Sequence, residues 1–112
     1  WDSDTSDFET DHGIKGIDYM TCQLWVDSWG WYNHSTKDEG LVQAIERAKL
    51  YLRNHIQAAV RLGLPLVIDE VGLARDDKRF VAKSAVTRRN AILKVVFDVV
   101  QSSVDSRDPM TG

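Results

Sequence analysis

The sequence predicts an α/β fold built on parallel strands, and only a piece of one. Two short apolar, β-rich runs, 17–25 and 66–70, flank a segment with helical periodicity, and a second helical segment follows them. A β–α–β–α order of this kind implies a parallel pair joined by a right-handed crossover. Both runs are continuously apolar rather than alternating, as in strands covered on both faces, and two strands with two helices cannot supply that cover. The length of 112 residues alone would predict one complete domain. The strand count instead predicts a slice of one, with its neighbours outside this chain.

Each element has its own justification. Residues 1–13 are polar and acidic, with a short helical turn expected around 6–11 because Asp and Ser favour helix starts. The run Asp2-Ser-Asp4-Thr-Ser6 opens like a calcium loop but fails at the next requirement, since Asp7 stands where the turn glycine belongs. Ile17-Asp-Tyr-Met-Thr-Cys-Gln-Leu-Trp25 reads as the first buried strand. The loop after it, 26–39, carries Trp29, Trp31 and Tyr32 among turn residues. Leu41, Ile45, Ala48, Leu52, Ile56 and Ala59 step by three or four and line one face of a helix over 41–62, which Gly63 and Pro65 end. His55 on that helix reads as a surface or boundary residue.

Leu66-Val-Ile-Asp-Glu70 is the second buried strand. A charged loop follows, and a helix from about Ser84 or Thr87 to Val104 turns Val86, Ile92 or Leu93, Val96, Val99 or Val100 and Val104 inward. Its many valines are weak helix formers, so packing must hold it. Residues 102–112 read as a polar exit with Asp108-Pro109 as a breaker. The opening at Trp1, without an initiator Met or a signal peptide, reads as a cut start.

Composition excludes several function classes. With 43% apolar and 28% charged residues the chain is ordinary for a globular protein, and a formal charge of −3 argues against nucleic-acid binding. No apolar run approaches the roughly 18 residues that span a bilayer. The single cysteine, Cys22, excludes an internal disulfide and reads as an inert buried thiol. His12, His34 and His55 share no metal-ligand spacing, and no phosphate loop or serine nucleophile elbow occurs. No cofactor and no metal are expected.

In parallel α/β folds ligands gather at the C-terminal ends of the strands. The first strand ends in Gln23-Leu-Trp25 and runs into the tryptophan loop; the second ends in Asp69-Glu70. Alternation sends these two carboxylates to opposite faces, so at most one serves a given site. A carboxylate there is either catalytic or an ion-pair or capping partner at the strand–loop junction. Trp29, Trp31 and Tyr32 either stack on a ligand such as the flat face of a sugar or plug the end of the fold, and ligand contact is the favoured reading.

These motifs resemble glycoside hydrolase family 5. Pro65-Leu-Val-Ile-Asp-Glu70-Val-Gly-Leu-Ala-Arg75-Asp76 looks like the seventh-strand segment of its β-mannanase branch, where Lys-Pro-Leu-Val-Leu-Glu-Glu-Phe-Gly precedes an Arg-Asp pair. Residues 17–25 with Trp29-Gly-Trp31 resemble the sixth strand and its tryptophan-rich loop. Tyr51, His55-Ile56 and Leu62-Gly63-Leu-Pro65 fit the same register, and Thr87-Arg88-Arg89-Asn90 sits where the next helix carries a Thr-x-Arg-Asp-like start. The likeness covers essentially the whole chain.

The resemblance implies a fragment of a (β/α)8 TIM barrel, about strands six and seven with their helices. Residues 1–112 would be a partial catalytic domain, lacking the strand that carries the acid/base glutamate and lacking strand eight. It implies a secreted, retaining endo-β-1,4-mannanase acting on plant-type β-mannan, with Glu70 as nucleophile, Trp25 beside it, Gln23 and Asp69 in support, and Trp29 and Trp31 as sugar platforms. Two carboxyl groups about 5–5.5 Å apart suffice for that chemistry without a cofactor. Gln23 replaces the family's usual His, and Val26-Asp27-Ser28-Trp29 replaces a Pro-x-Asn-Trp loop. A β-1,4-glucanase on the same scaffold and a non-catalytic carbohydrate-binding relative are the alternatives. The 112-residue piece by itself is expected to be inactive and poorly folded.

Overall fold

The computed structural model describes residues 7–106. The calcium-loop-like run 2–6 and the Asp108-Pro109 breaker lie outside them. A short helix α1 (Phe8–His12) precedes strand β1 (Met20–Trp25), helix α2 (Lys37–Leu62), strand β2 (Leu66–Gly72) and helix α3 (Thr87–Asp105). Single 3₁₀ turns at His34–Thr36 and Asp76–Lys78 interrupt the two loops that follow the strands. The strands pair in parallel, as the β–α–β order requires.

β1 is three residues shorter than the apolar run. The ladder opens with Met20 opposite Leu66, and the Met20 amide donates to the Pro65 carbonyl at 2.7 Å. Among the described residues, 17–19 have no partner strand, and Ile17 and Tyr19 are exposed. β2 continues two residues past Glu70, because Val71 and Gly72 still pair with Leu24 and Trp25. The register shifts by one residue between Cys22 and Gln23, so that Cys22 opposes Ile68 while Gln23 opposes Glu70. Asp69 is thus the extra residue of a β-bulge.

α2 starts four residues before the apolar stripe, with Asp38 and Glu39 in its first turn to complement the helix dipole. Its fully buried line is Ala44, Ala48, Leu52, His55, Ala58 and Ala59, while Leu41, Ile45 and Ile56 flank it. Four alanines let the helix sit close on Met20, Cys22, Leu24 and Leu66. His55 is buried at 3% exposure rather than at a boundary. Its Nδ1 pairs with the Tyr51 carbonyl at 2.8 Å and its ring stacks on Tyr51 and Phe8, which makes burial tolerable.

Ile92, Val95 and Val96 carry α3 into the core, with Val99 and Val100 beside them. Val104 is exposed rather than inward, because Ser103 takes the buried position at that turn. Residues 102–105 continue the helix instead of forming the polar exit. Val86 gives α3 no side-chain cap. The buried carboxylate of Asp76 supplies it from the preceding loop, accepting from the amides of Thr87 and Arg88 at 3.1 Å each. Among the described residues no helix is long and apolar enough to cross a membrane.

Candidate active site

The C-terminal ends of the two strands bring three of the sequence-predicted residues, Gln23, Trp25 and Glu70, together. Gln23 and Trp25 are opposite Glu70 and Gly72 in the ladder, so these four share one face of the sheet. Trp25 Nε1 donates to Glu70 Oε2 at 3.0 Å. The indole lies across Gly72, where a Cβ would fall on its six-membered ring. A glycine at this position therefore makes room for the tryptophan that orients the glutamate.

The bulge decides which carboxylate reaches this face. In an unbroken register Gln23 would oppose Asp69, and Glu70 would fall opposite Leu24 on the core side. The extra residue moves Glu70 into line with Gln23, the re-aiming that bulges perform next to binding sites. Asp69 is left where its charge acts on Cys22 and Tyr51, toward α2. Burial pushes the Cys22 thiol up to about 12, with Asp69 adding to the shift, so the thiol is inert at ordinary pH. Burial likewise raises the Tyr51 hydroxyl.

Trp29 and Trp31 pack toward α2. Their rings lie 5.0 Å apart and meet Tyr51 at 5.4 and 5.5 Å, and the Arg47 guanidinium sits 4.6 Å above Trp31. Trp31 and Tyr51 are half-buried or less exposed than Trp29, which keeps 39% of its surface open. Tyr32 is buried in the core.

A second carboxylate at this end escaped sequence reasoning. Asp27, in the loop after β1, accepts from His34 Nε2 at 2.9 Å and from the Ala74 amide at 3.4 Å. No local pattern could have found it, because Ala74 is 47 residues away. The groove between α2 and α3, about 860 Å³ and lined in part by Arg53, Val60, Val95 and Ser103, includes none of the strand-end residues. Among the described residues no cluster of three His, Cys, Asp or Glu side chains could hold a metal ion.

Chemically, the strand ends offer an accessible carboxylate fixed by one indole N–H, with a neutral amide beside it. Such a group can attack an electrophilic carbon or accept a proton. Hydrolysis of a glycoside with retention needs a second carboxyl group at about 5–5.5 Å, and Asp69, on the other side of the sheet, does not provide it.

Residues 1–112 match the family described as glycoside hydrolase family 5 β-mannosidase-like. Mannan endo-1,4-β-mannosidase 3 of Oryza sativa subsp. japonica is 31% identical over 105 residues, 90% of this chain and 20% of that protein. Mannan endo-1,4-β-mannosidase 8 of the same plant is 30% identical over 99 residues, 88% of this chain and 24% of that protein. The crystal structure of a glycoside hydrolase family 5 mannosidase from Rhizomucor miehei superposes with a TM-score of 0.83 at 28% identity, over 92% of this chain and 27% of that one. A mutant of the same enzyme, solved in complex with mannosyl-fructose, matches equally well. The chain thus spans about a fifth to a quarter of the length of these relatives. On a match that runs from the first residue to the last, the chain belongs to the β-mannosidase-like group of glycoside hydrolase family 5.

Proposed function

We propose that this chain is part of a secreted endo-β-1,4-mannanase that cleaves β-mannan with retention, and that Glu70 is its nucleophile. The observation that carries this reading is the hydrogen bond from Trp25 Nε1 to Glu70 Oε2 at the C-terminal end of a parallel pair. In this mechanism the Glu70 carboxylate attacks the anomeric carbon while an acid protonates the departing glycosidic oxygen. Water then releases the mannosyl ester. The acid/base carboxyl belongs to another part of the whole protein. Relatives named as mannan endo-1,4-β-mannosidases favour mannan over the alternative of a glucan.

The same reading makes β1 and β2 strands six and seven of an eight-stranded barrel, with residues 1–112 a partial catalytic domain. Gln23 and Trp25 border the sugar next to the nucleophile. The open face of Trp29, backed by Trp31, is a platform for a neighbouring unit of the polymer, and Asp69 supports the strand from behind. The full-length protein is expected to release reducing sugar from β-mannan, and Glu70→Gln to abolish release while leaving the thermal midpoint unchanged. Equal release by Glu70→Gln refutes the nucleophile assignment. Mannan binding without cleavage by the wild type favours a binding relative instead.

A further inference from the structure

Trp25 and Gly72 are the last paired residues, and beyond them the β1–β2 ladder no longer fixes the separation of the two chain segments. One carboxylate bridges the chain segments just past them. Asp27 is two residues beyond Trp25 and 14% exposed, and its Oδ2 accepts from His34 Nε2 at 2.9 Å. With the carboxyl ionised, that ring nitrogen must carry the hydrogen. Ala74, two residues beyond Gly72, donates its amide to the same oxygen at 3.4 Å. Lys78 Nζ stands 3.5 Å from Oδ1 as an ion pair. Burial works against the Asp27 charge, but the hydrogen bond and charge of His34, the charge of Lys78 and the Ala74 amide together outweigh it. The carboxyl is held below the usual range.

We propose that Asp27 is a positioning residue for Glu70. By joining the loop after β1 to the loop after β2, it sets the spacing of the strand tips and so the 3.0 Å hydrogen bond between Trp25 and Glu70. The proposal rests on the reading of Glu70 as nucleophile. A charged acceptor shared by several donors is stiffer than a neutral contact. A displacement of about 1 Å at the reacting atom is worth up to about a hundredfold in rate.

The test uses the full-length protein and a 2-deoxy-2-fluoro-β-mannosyl fluoride. A Glu70 oxygen forms a bond to the anomeric carbon as the C–F bond breaks and fluoride leaves, and intact mass counts the adduct as it accumulates. In Asp27→Ala the labelling rate should fall roughly 10- to 100-fold, with the half-saturating concentration within about twofold of wild type. Asp27→Asn keeps one acceptor oxygen and should be intermediate; it carries the test alone if Asp27→Ala does not fold. Labelling of the folded variants at the wild-type rate overturns the proposal, as does a loss that only tracks the fraction folded. If the wild type is never labelled, the nucleophile reading fails by itself. A crystal structure of the variant then decides on Asp27: separation of Trp25 Nε1 from Glu70 Oε2 beyond hydrogen-bonding distance supports it, and an unchanged 3.0 Å contact overturns it.

Discussion

Gly72→Ala isolates the space that the Trp25 ring requires. Gly72 is not among the glycines with positive φ, so alanine meets no backbone obstacle there and any loss must come from the added methyl. That methyl would fall on Cζ3 of Trp25, 2.8 Å from Cε3 and 3.2 Å from Cη2. Carbon–carbon contacts settle near ~3.5–4.0 Å, so the ring has to withdraw by about 1 Å. A bond that starts at 3.0 Å then leaves hydrogen-bonding range. Two effects on a nucleophilic Glu70 compete. Freed of its donor, the carboxylate gains reactivity, but only part of a contact worth about 1.5–3 kcal/mol is lost on the way to the transition state. Misplacement by about 1 Å costs up to two decades of rate, about 2.7 kcal/mol. Misplacement therefore dominates, and kcat on mannan should fall about 10-fold in the full-length protein. In a Trp25→Ala background the same Gly72→Ala change should cost nothing further, since the overlapping ring is gone. Wild-type kcat in the single variant, or an equal loss in both backgrounds, refutes the reasoning.

Two predictions concern stability. Asp76→Ala leaves the amides of Thr87 and Arg88 without their buried acceptor, and should lower unfolding free energy by about 2 kcal/mol, the upper end for a lost cap. An unchanged urea midpoint would contradict the capping role. Burial drives His55 down to about 4 from an ordinary value near 6.5. The folded state therefore holds it neutral where the unfolded state takes up a proton. Its contribution is fully present above about pH 6.5 and is lost as pH falls from there to about 4, amounting to about 3 kcal/mol at most. Unfolding free energies of wild type and His55→Leu should thus diverge across that window, and a pH-independent difference would sink the claim.

Much of the fold was legible because apolar periodicity is a strong local signal. It placed β1, α2, β2 and α3 in order, since each buries a face whose spacing is written in consecutive residues. It erred where burial depends on something other than side-chain type. His55 is buried because its ring nitrogen finds the Tyr51 carbonyl, and Ala44 and Ala58 are buried because small residues allow a close approach to the strands. Ile17 and Tyr19 look like strand residues yet have no partner strand among the described residues, because β2 begins only at Leu66. Strand propensity cannot see where the neighbouring strand starts.

The site was legible in its residue types but not in its aim. Alternation separates Asp69 from Glu70 without saying which of them faces Gln23 and Trp25. A one-residue register shift makes that choice, and it is visible only when both strands are in place. The carboxylates around the strand ends sort in the same way. In the sequence Asp27 and Asp76 stand in polar loops and Glu70 at the end of a strand, and nothing local ranks the three. In the fold, Asp27 and Asp76 accept from backbone amides that a loop and a helix start would otherwise leave unpaired. Glu70 has no such task among the described residues, and its partner is a side-chain N–H that can yield as the carboxylate's charge changes. A carboxylate that is oriented but not consumed by the architecture is the one available for chemistry, and that distinction, more than its place at a strand tip, supports Glu70 as the nucleophile.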